Sequence, residues 1–346
     1  MRVLLTADPI LSVPPTGYGG IERIVDSLVG ELRARGHTVA LVAKAGSACA
    51  ADAVFPWPGH DVRHPFDTFR NALALAAAAR QFRPDVLHSF ARLAYLSVLL
   101  PTRLPKIMSY QRHVGPAQIR LALRLARRGS LRFTGCSDFI CGMGRPGGGE
   151  WRAIPNFVDL AKFGFVPSVP ADAPLLFLSR VESVKGPDLA IDIARRAGRR
   201  LIIAGNRPSG GAEGKFFDEK IAPHLGHDGV EWVGEVGDAQ KNTLLGQSAA
   251  LLVPIRWDEP FGIVFAEALA AGTPVITCAR GAVPEVLRPG ITGYLVRDAA
   301  EGADAVARLP ALDRAVCRAD AEARFSLGVC ADQYLRLYAE AAGCAP

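Results

Sequence analysis

Short runs of β-branched and aliphatic residues alternate along the chain with longer stretches whose apolar positions recur at helical spacing. Val3–Thr6 is followed by a Gly/Pro-rich loop. After it, Ile21, Ile24, Val25, Leu28 and Leu32 line one face of a helix that Gly36 stops. Further strands are predicted at Thr38–Ala43, Asp85–His88, Lys106–Ser109, Leu131–Thr134 and Arg152–Ile154. A proline-rich stretch over 166–174 interrupts the rhythm. It resumes with strands at Leu175–Ser179, Leu201–Ala204, Val230–Val233, Leu251–Pro254, Val275–Thr277 and Gly293–Val296. Strands alternating with helices imply parallel sheets covered on both faces. Two such series predict an α/β protein of two doubly wound domains, near 1–165 and 170–325, facing each other across a cleft. The tail, 326–346, carries a last helix at 327–342 that can pack on either domain, including back on the first. Ligands in such folds bind beyond the carboxyl ends of the strands, and a cleft between two of them is the natural active site.

Composition adds little to this picture, but charge and cysteine usage do. With 346 residues, 49% hydrophobic and 21% charged, the chain can bury two ordinary cores and is neither disordered nor fibrous. No apolar run reaches the ~20 residues that span a bilayer. Met1–Thr6 reads as a strand and not as a signal peptide, so a cytoplasmic protein is expected. Cys49, Cys136, Cys141, Cys278, Cys317, Cys330 and Cys344 are scattered without a C-x-x-C pair, which favours free thiols over disulfides or zinc. The net charge of +6 is uneven: between Asp85 and Asp138 there is no acid, but nine bases. Four of them, Arg120, Arg124, Arg127 and Arg128, share one helical face by their spacing. Ile119, Leu121, Ala122, Leu123, Leu125 and Ala126 supply the apolar remainder. This basic helix near 117–128 can rest on anionic lipid headgroups as a peripheral membrane contact, or receive an anionic acceptor. The alternative is a solvated helix on an arginine-rich chain. No aromatic residues interleave with the bases, so nucleic acid is not an expected partner.

The most informative segment runs from Trp257 to Ile276. Between Phe261 and Ala271 everything is apolar or glycine except Glu267. A helix apolar all round is buried, and a carboxylate inside it needs a polar partner, either ligand hydroxyls or a core arginine. Glu259 precedes Pro260, which suits a first helical position. That would place Glu259 at the helix mouth, near the free amides of Gly262, Ile263 and Val264, where phosphate is attracted. Upstream, Arg180 and Lys185 lie just past the first strand of the second domain, a pair suited to a diphosphate or to two solvated bases. In the first domain Gly17-Tyr18-Gly19-Gly20-Ile21-Glu22 opens the first helix. It is neither the dinucleotide fingerprint nor a phosphate loop, which argues against a dehydrogenase or a kinase.

Taken in order, these residues resemble retaining glycosyltransferases of family four, which have the GT-B fold of two Rossmann-like domains. Gly19-Gly20-Ile21-Glu22 is similar to the family's glycine loop, and Ile154-Pro155-Asn156-Phe157-Val158-Asp159 to its I-P-N-G-V-D, with Phe157 for the usual Gly. Ser179-Arg180 through Lys185-Gly186 is similar to G-R…K-G. Glu259 and Glu267 are similar to E-x7-E, followed by Gly272-Thr273-Pro274-Val275, Gly281-x-x-Pro284-Glu285 and Gly290-x-Thr292-Gly293-Tyr294-Leu295. The resemblance implies a nucleotide-sugar donor and transfer with retention of configuration. Arg180 and Lys185 would hold the diphosphate, Glu259 the donor sugar and Glu267 the ribose. Gly19, Gly20 and the amides near Gly262, Ile263 and Val264 would complete the cradle, while Gly234 and Val236 would line the base pocket. The family's first-domain histidine falls to His113 or to Gln111. The chain contains no D-x-D. No metal and no cofactor are therefore expected, with UDP-sugars the first expectation as donors and the acceptor unidentified. The rival readings are a catalytically silent nucleotide-sugar-binding protein and a nucleotide-sugar epimerase.

Overall fold

The computed structural model describes residues 1–17 and 19–343, so Tyr18 of the glycine loop and Cys344 lie outside the described residues. It divides into two compact units, Met1–Phe157 with Leu327–Pro346, and Val158–Ser326.

The first unit contains strands β1 (Arg2–Thr6), β2 (Thr38–Ala43), β3 (Ala53–Pro56), β4 (Val86–Ser89), β5 (Lys106–Tyr110), β6 (Leu131–Gly135) and β7 (Trp151–Ala153). They form one seven-stranded sheet in the order β3-β2-β1-β4-β5-β6-β7. Every pairing is parallel, with Val3 opposite both Val39 and Val86. The helices between them are α1 (Gly20–Ala34), α2 (Pro65–Phe82), α3 (Pro116–Leu125) and α4 (Asp138–Gly144). Val3, Leu4, Leu5 and most of β2 are wholly buried, as expected of a sheet covered on both faces. The sequence pattern did not predict β3. It is an edge strand whose residues alternate between half-buried and exposed, so it lacks the continuous apolar run of the inner strands.

The second unit contains β8 (Leu175–Leu178), β9 (Leu201–Ala204), β10 (Val230–Gly234), β11 (Ala250–Leu252), β12 (Val275–Thr277) and β13 (Gly293–Leu295). Its helices are α5 (Pro187–Arg196), α6 (Gly211–Phe216), α7 (Asp238–Gln247), α8 (Ile263–Ala270), α9 (Val283–Val286), α10 (Ala299–Ala307) and α11 (Arg314–Phe325). The parallel six-stranded sheet has the order β10-β9-β8-β11-β12-β13. In each sheet the strand order reverses at the first strand of its unit, β1 or β8. The crevice at such a reversal is where doubly wound sheets hold ligands.

The first unit ends at Phe157, not near 165. The reason is hydrogen bonding: Val158 N–H donates to the Phe325 carbonyl at 2.8 Å, and Arg314 Nε donates to the Val166 carbonyl at 2.7 Å. Arg318 likewise reaches the carbonyls of Phe163 (2.8 Å) and Ala270 (2.7 Å). The last helix, α12 (Leu327–Ala342), belongs to the first unit. Arg35 at the end of α1 bonds Asp332 and the Gly328 carbonyl. The fully buried His88 of β4 shares hydrogen bonds of 2.6 Å with Tyr338 Oη and with Ser109 Oγ. Burial pushes its imidazole down to about 3.

Among the described residues Cys49, Cys136, Cys141, Cys278, Cys317 and Cys330 form no disulfide, and no helix is long and apolar enough to cross a membrane.

Candidate functional site

At the carboxyl end of β8 the chain runs through Ser179 and Arg180 into a single 3-10 turn, Ser183–Lys185, and then into α5. Three contacts hold this loop. Both the N–H and the hydroxyl of Ser183 donate to the Glu213 carboxylate at 2.7 Å, and Arg256 N–H donates to the Val184 carbonyl at 2.8 Å. Arg256 also grips Asp188 of α5 through two bonds of 2.7 Å. A fork-to-fork arginine–carboxylate pair fixes orientation as well as distance. The loop therefore presents Arg180 and Lys185 from a braced frame. Arg180 is partly exposed and bonds Glu182 at 2.7 Å.

Lys185 Nζ lies 2.6 Å from Glu259 Oε2, with each side chain only 12% exposed. Trp257 Nε1 donates to the same oxygen at 2.9 Å, and the ammonium sits 4.6 Å from the centre of the Trp257 ring. The segment carrying Glu259 differs from the sequence expectation. Pro260 does not open the helix: α8 begins at Ile263, and Glu259 belongs to the loop before it. The cause is Gly262, whose left-handed backbone (φ 83) turns the chain into the helix. Glu259 is further pinned from outside, since Ala282 N–H donates to its carbonyl at 2.8 Å. A Cβ on Gly281 would come within 2.4 Å of that same oxygen. The first amides of α8, those of Ile263 and Val264, have no carbonyl within the helix to bond.

Glu267 sits in the apolar helix as predicted, and its partner within the protein is a lysine, not the core arginine that was the alternative to a ligand. Lys241 of α7 reaches its Oε1 at 2.5 Å. Gly234 ends β10 with a left-handed φ of 75, and Val236 follows, half-buried, in the loop before α7. At the crevice of the second sheet, two carboxylates are thus each held by a lysine through one oxygen, beside a braced arginine.

Comparison with known proteins gives this arrangement a context. The structure of AviGT4, a glycosyltransferase involved in avilamycin A biosynthesis, superposes with a TM-score of 0.75 at 26% identity, covering 99% of this chain and 98% of that one. The family model described as Glycosyltransferase Family 4 matches residues 18–162, and the one described as Glycosyl transferases group 1 matches residues 166–315. The chain is a GT-B glycosyltransferase. The enzyme is 28% identical to the glycogen synthase of Mycobacterium tuberculosis H37Rv over 346 residues, covering 85% of this chain and 81% of that protein. It is 32% identical to the D-inositol 3-phosphate glycosyltransferase of Mycolicibacterium smegmatis over 197 residues, 54% of this chain and 44% of that protein. The fold is shared with Anabaena HepE, solved with UDP-glucose, at a TM-score of 0.76 and 18% identity, covering 98% of this chain and all of that one.

In the glycosyltransferase's first unit the predicted residues fall at the carboxyl edge of the sheet. Gly19 packs so tightly that a Cβ there would lie 2.7 Å from Pro15, and Gly20 begins α1. Past β5, Gln111 has its side-chain oxygen buried without a hydrogen-bond partner among the described residues, whereas His113 is exposed and meets the Phe139 ring edge-on at 5.8 Å. Arg112 bonds Asp8 beyond β1 at 2.5 Å. Burial raises the Glu22 carboxyl above its usual range; its own backbone N–H and Arg112 oppose this, and Asp8 adds to it.

The basic helix of the enzyme is shorter than its spacing suggested. α3 stops at Leu125, and Arg127 and Arg128 lie in the turn that follows. That turn forms because Ser130 N–H and hydroxyl both bond the Arg127 carbonyl, at 3.0 and 2.8 Å, with Gly129 left-handed. Of the helix's apolar residues, Leu121 and Leu125 are exposed, while Ile119 and Ala122 are buried.

Sequence reasoning missed Lys241, Glu213, Arg256 and Trp257. The first three act across the fold on residues far away in the chain. Trp257 lies within the most informative segment, but its indole N–H gave no local cue.

Proposed function

We propose that the enzyme takes its sugar from a nucleotide-diphosphate donor, UDP-sugars first, held by the second unit, and transfers it with retention of configuration and without a metal ion. The observation that carries this reading is the way the lysines engage the carboxylates. Lys185 and Trp257 both bond Oε2 of Glu259, and Lys241 bonds Oε1 of Glu267. The other oxygen of each carboxylate keeps its lone pairs for hydroxyl groups, those of the donor sugar at Glu259 and of the ribose at Glu267. Lys185 retains further N–H donors, and with Arg180 it meets the pyrophosphate and the charge that develops as it departs. The amides of Ile263 and Val264 after Gly262 add fixed partial positive charge. Gly234 and Val236 line the base, and the family resemblance assigns Gly19 and Gly20 to donor binding and His113 to the donor sugar. Retention follows the family resemblance, and the HepE complex with UDP-glucose supports UDP as the first nucleotide to try.

The test is a panel of radiolabelled UDP-, GDP- and ADP-sugars, followed by transfer or slow hydrolysis and by NMR of the product's anomeric configuration. One donor should be consumed, with Lys185→Ala and Glu259→Ala greatly slowed and EDTA without effect. Turnover lost in EDTA and restored by manganese would refute metal independence. Calorimetric binding with neither transfer nor hydrolysis would favour a silent binding protein, and no binding of any donor would refute the reading as a whole.

A further inference from the structure

One side of the first sheet is unlike the rest of the surface. Right-handed crossovers from β3 to β4, β4 to β5 and β5 to β6 all run in the same direction across the sheet. They place α2, the turn Leu93–Leu96 and α3 on one side, opposite α1. On that side Leu121 and Leu125 of α3 are 59% and 53% exposed, one helical turn apart. Arg120 and Arg124 flank them on the helix, and Arg127 and Arg128 are exposed in the turn that follows it. Arg120 bonds only a carbonyl, that of Pro146 at 3.3 Å, and no carboxylate pairs with any of the four among the described residues. The sequence from 86 to 137 contains no acid to neutralise them. Phe66, Phe69 and Leu73 of α2 are also exposed on this side. Asp61 lies before α2 and Asp67 in its first turn, while near α3 Asp138 pairs with Arg145 and Glu150 with Arg132.

Leucines that remain in water while unpaired arginines surround them fit one environment, the boundary between headgroups and acyl chains. Apolar side chains can enter there, and guanidinium groups on long stems can reach phosphate. We propose that residues 116–129 form a docking surface for a bilayer containing anionic lipid, with Leu121 and Leu125 inserted and Arg120, Arg124, Arg127 and Arg128 on the lipid phosphates. Ile119 and Ala122 already anchor α3 to the unit, so docking needs no folding of the helix. Charge complementarity selects an anionic surface, and the exposed leucines select a lipid surface over a dissolved anion.

The experiment is co-sedimentation of the full chain with vesicles of equal parts phosphatidylglycerol and phosphatidylcholine, against phosphatidylcholine alone, at low and high salt. The wild type should sediment with the mixed vesicles, less so at high salt, and remain in solution with phosphatidylcholine. The triple variant Arg124→Gln, Arg127→Gln, Arg128→Gln should partition about a hundredfold less. Leu121→Ser with Leu125→Ser should keep only weak binding that salt abolishes. These side chains are exposed, so melting temperature and donor hydrolysis should stay at wild-type values in every variant. The vesicle result is therefore independent of the proposed reaction. Equal sedimentation of wild type and triple variant, or equal binding to phosphatidylcholine alone, overturns the proposal. So does a wild type that stays in solution with the mixed vesicles, which would turn attention to an acidic protein partner.

Discussion

At Glu259 two donors converge on one carboxylate oxygen, and the lysine that supplies one of them also faces the Trp257 ring. A neutral amide of the same shape would keep the tryptophan contact and lose the ion pair. Glu259→Gln should therefore lower kcat for donor turnover by about two to three orders of magnitude, in the range seen when one preorganised polar group is removed from an active site. Lys185→Ala leaves a half-enclosed carboxylate without its cation, so it should lower the melting temperature as well as the rate. A Glu259→Gln enzyme with wild-type kcat would detach this pair from the chemistry. Glu213 acts one step back, because its hydrogen bonds among the described residues go to Ser183. Its loss should loosen the loop that carries Arg180 and Lys185. For Glu213→Ala the KM for donor should rise about tenfold or more with a smaller change in kcat, as expected when two hydrogen bonds of ~1 kcal/mol each are lost. Glu213→Gln, which can accept only one of the two bonds well, should fall between. An unchanged KM in both variants would assign Glu213 to stability alone.

Helix α8 shows how a local rule and the fold can disagree. The sequence placed its start at Pro260 because proline favours a first helical turn, yet the chain enters the helix three residues later through Gly262. Any other residue there would carry a Cβ at positive φ, 2.4 Å from the Phe265 ring. Gly262→Ala should therefore cost about 1–2 kcal/mol from backbone strain alone, read as a lower urea midpoint. A variant as stable as the wild type would show that the turn can rearrange. The inner strands were legible because a run such as Val39–Val42 is apolar without interruption, and the position of Arg180 and Lys185 in the loop after β8 followed from their place in the sequence. Lys241 was not legible: it lies on a helix of weak amphipathic character and meets Glu267 only once β10 and β12 are in place. Arg127 and Arg128 fitted a helical spacing that Gly129 and Ser130 cut short. What the sequence hid was long-range pairing and the points at which turns take over from periodicity.

Across the whole molecule, His88 couples stability to pH. Its imidazole is held neutral down to about 3, against an ordinary value near 6.5. Between those limits the unfolded chain binds a proton that the native fold cannot accept. The contribution is complete above about pH 6.5 and declines as pH falls towards 3, by up to ~1.4 kcal/mol per unit. Urea unfolding at pH 7 and pH 5 should thus differ by about 2 kcal/mol more in the wild type than in His88→Gln; equal differences would remove His88 as the cause. The two units also differ in how the chain builds them. Residues 158–326 are continuous, and a fragment of that span should unfold cooperatively by itself. A 1–157 fragment should not, because His88, Phe90 and the neighbouring strands lose the cover of Tyr334 and Tyr338. A sharp calorimetric transition from that shorter piece would contradict this. The return of α12 sets an order of events on the ribosome. The second unit can close as soon as Ser326 has emerged. The first, though translated earlier, must wait with the strip of its sheet around His88 and Phe90 lacking the cover of Tyr334 and Tyr338 until α12 arrives, and during that interval a chaperone would find its binding site there.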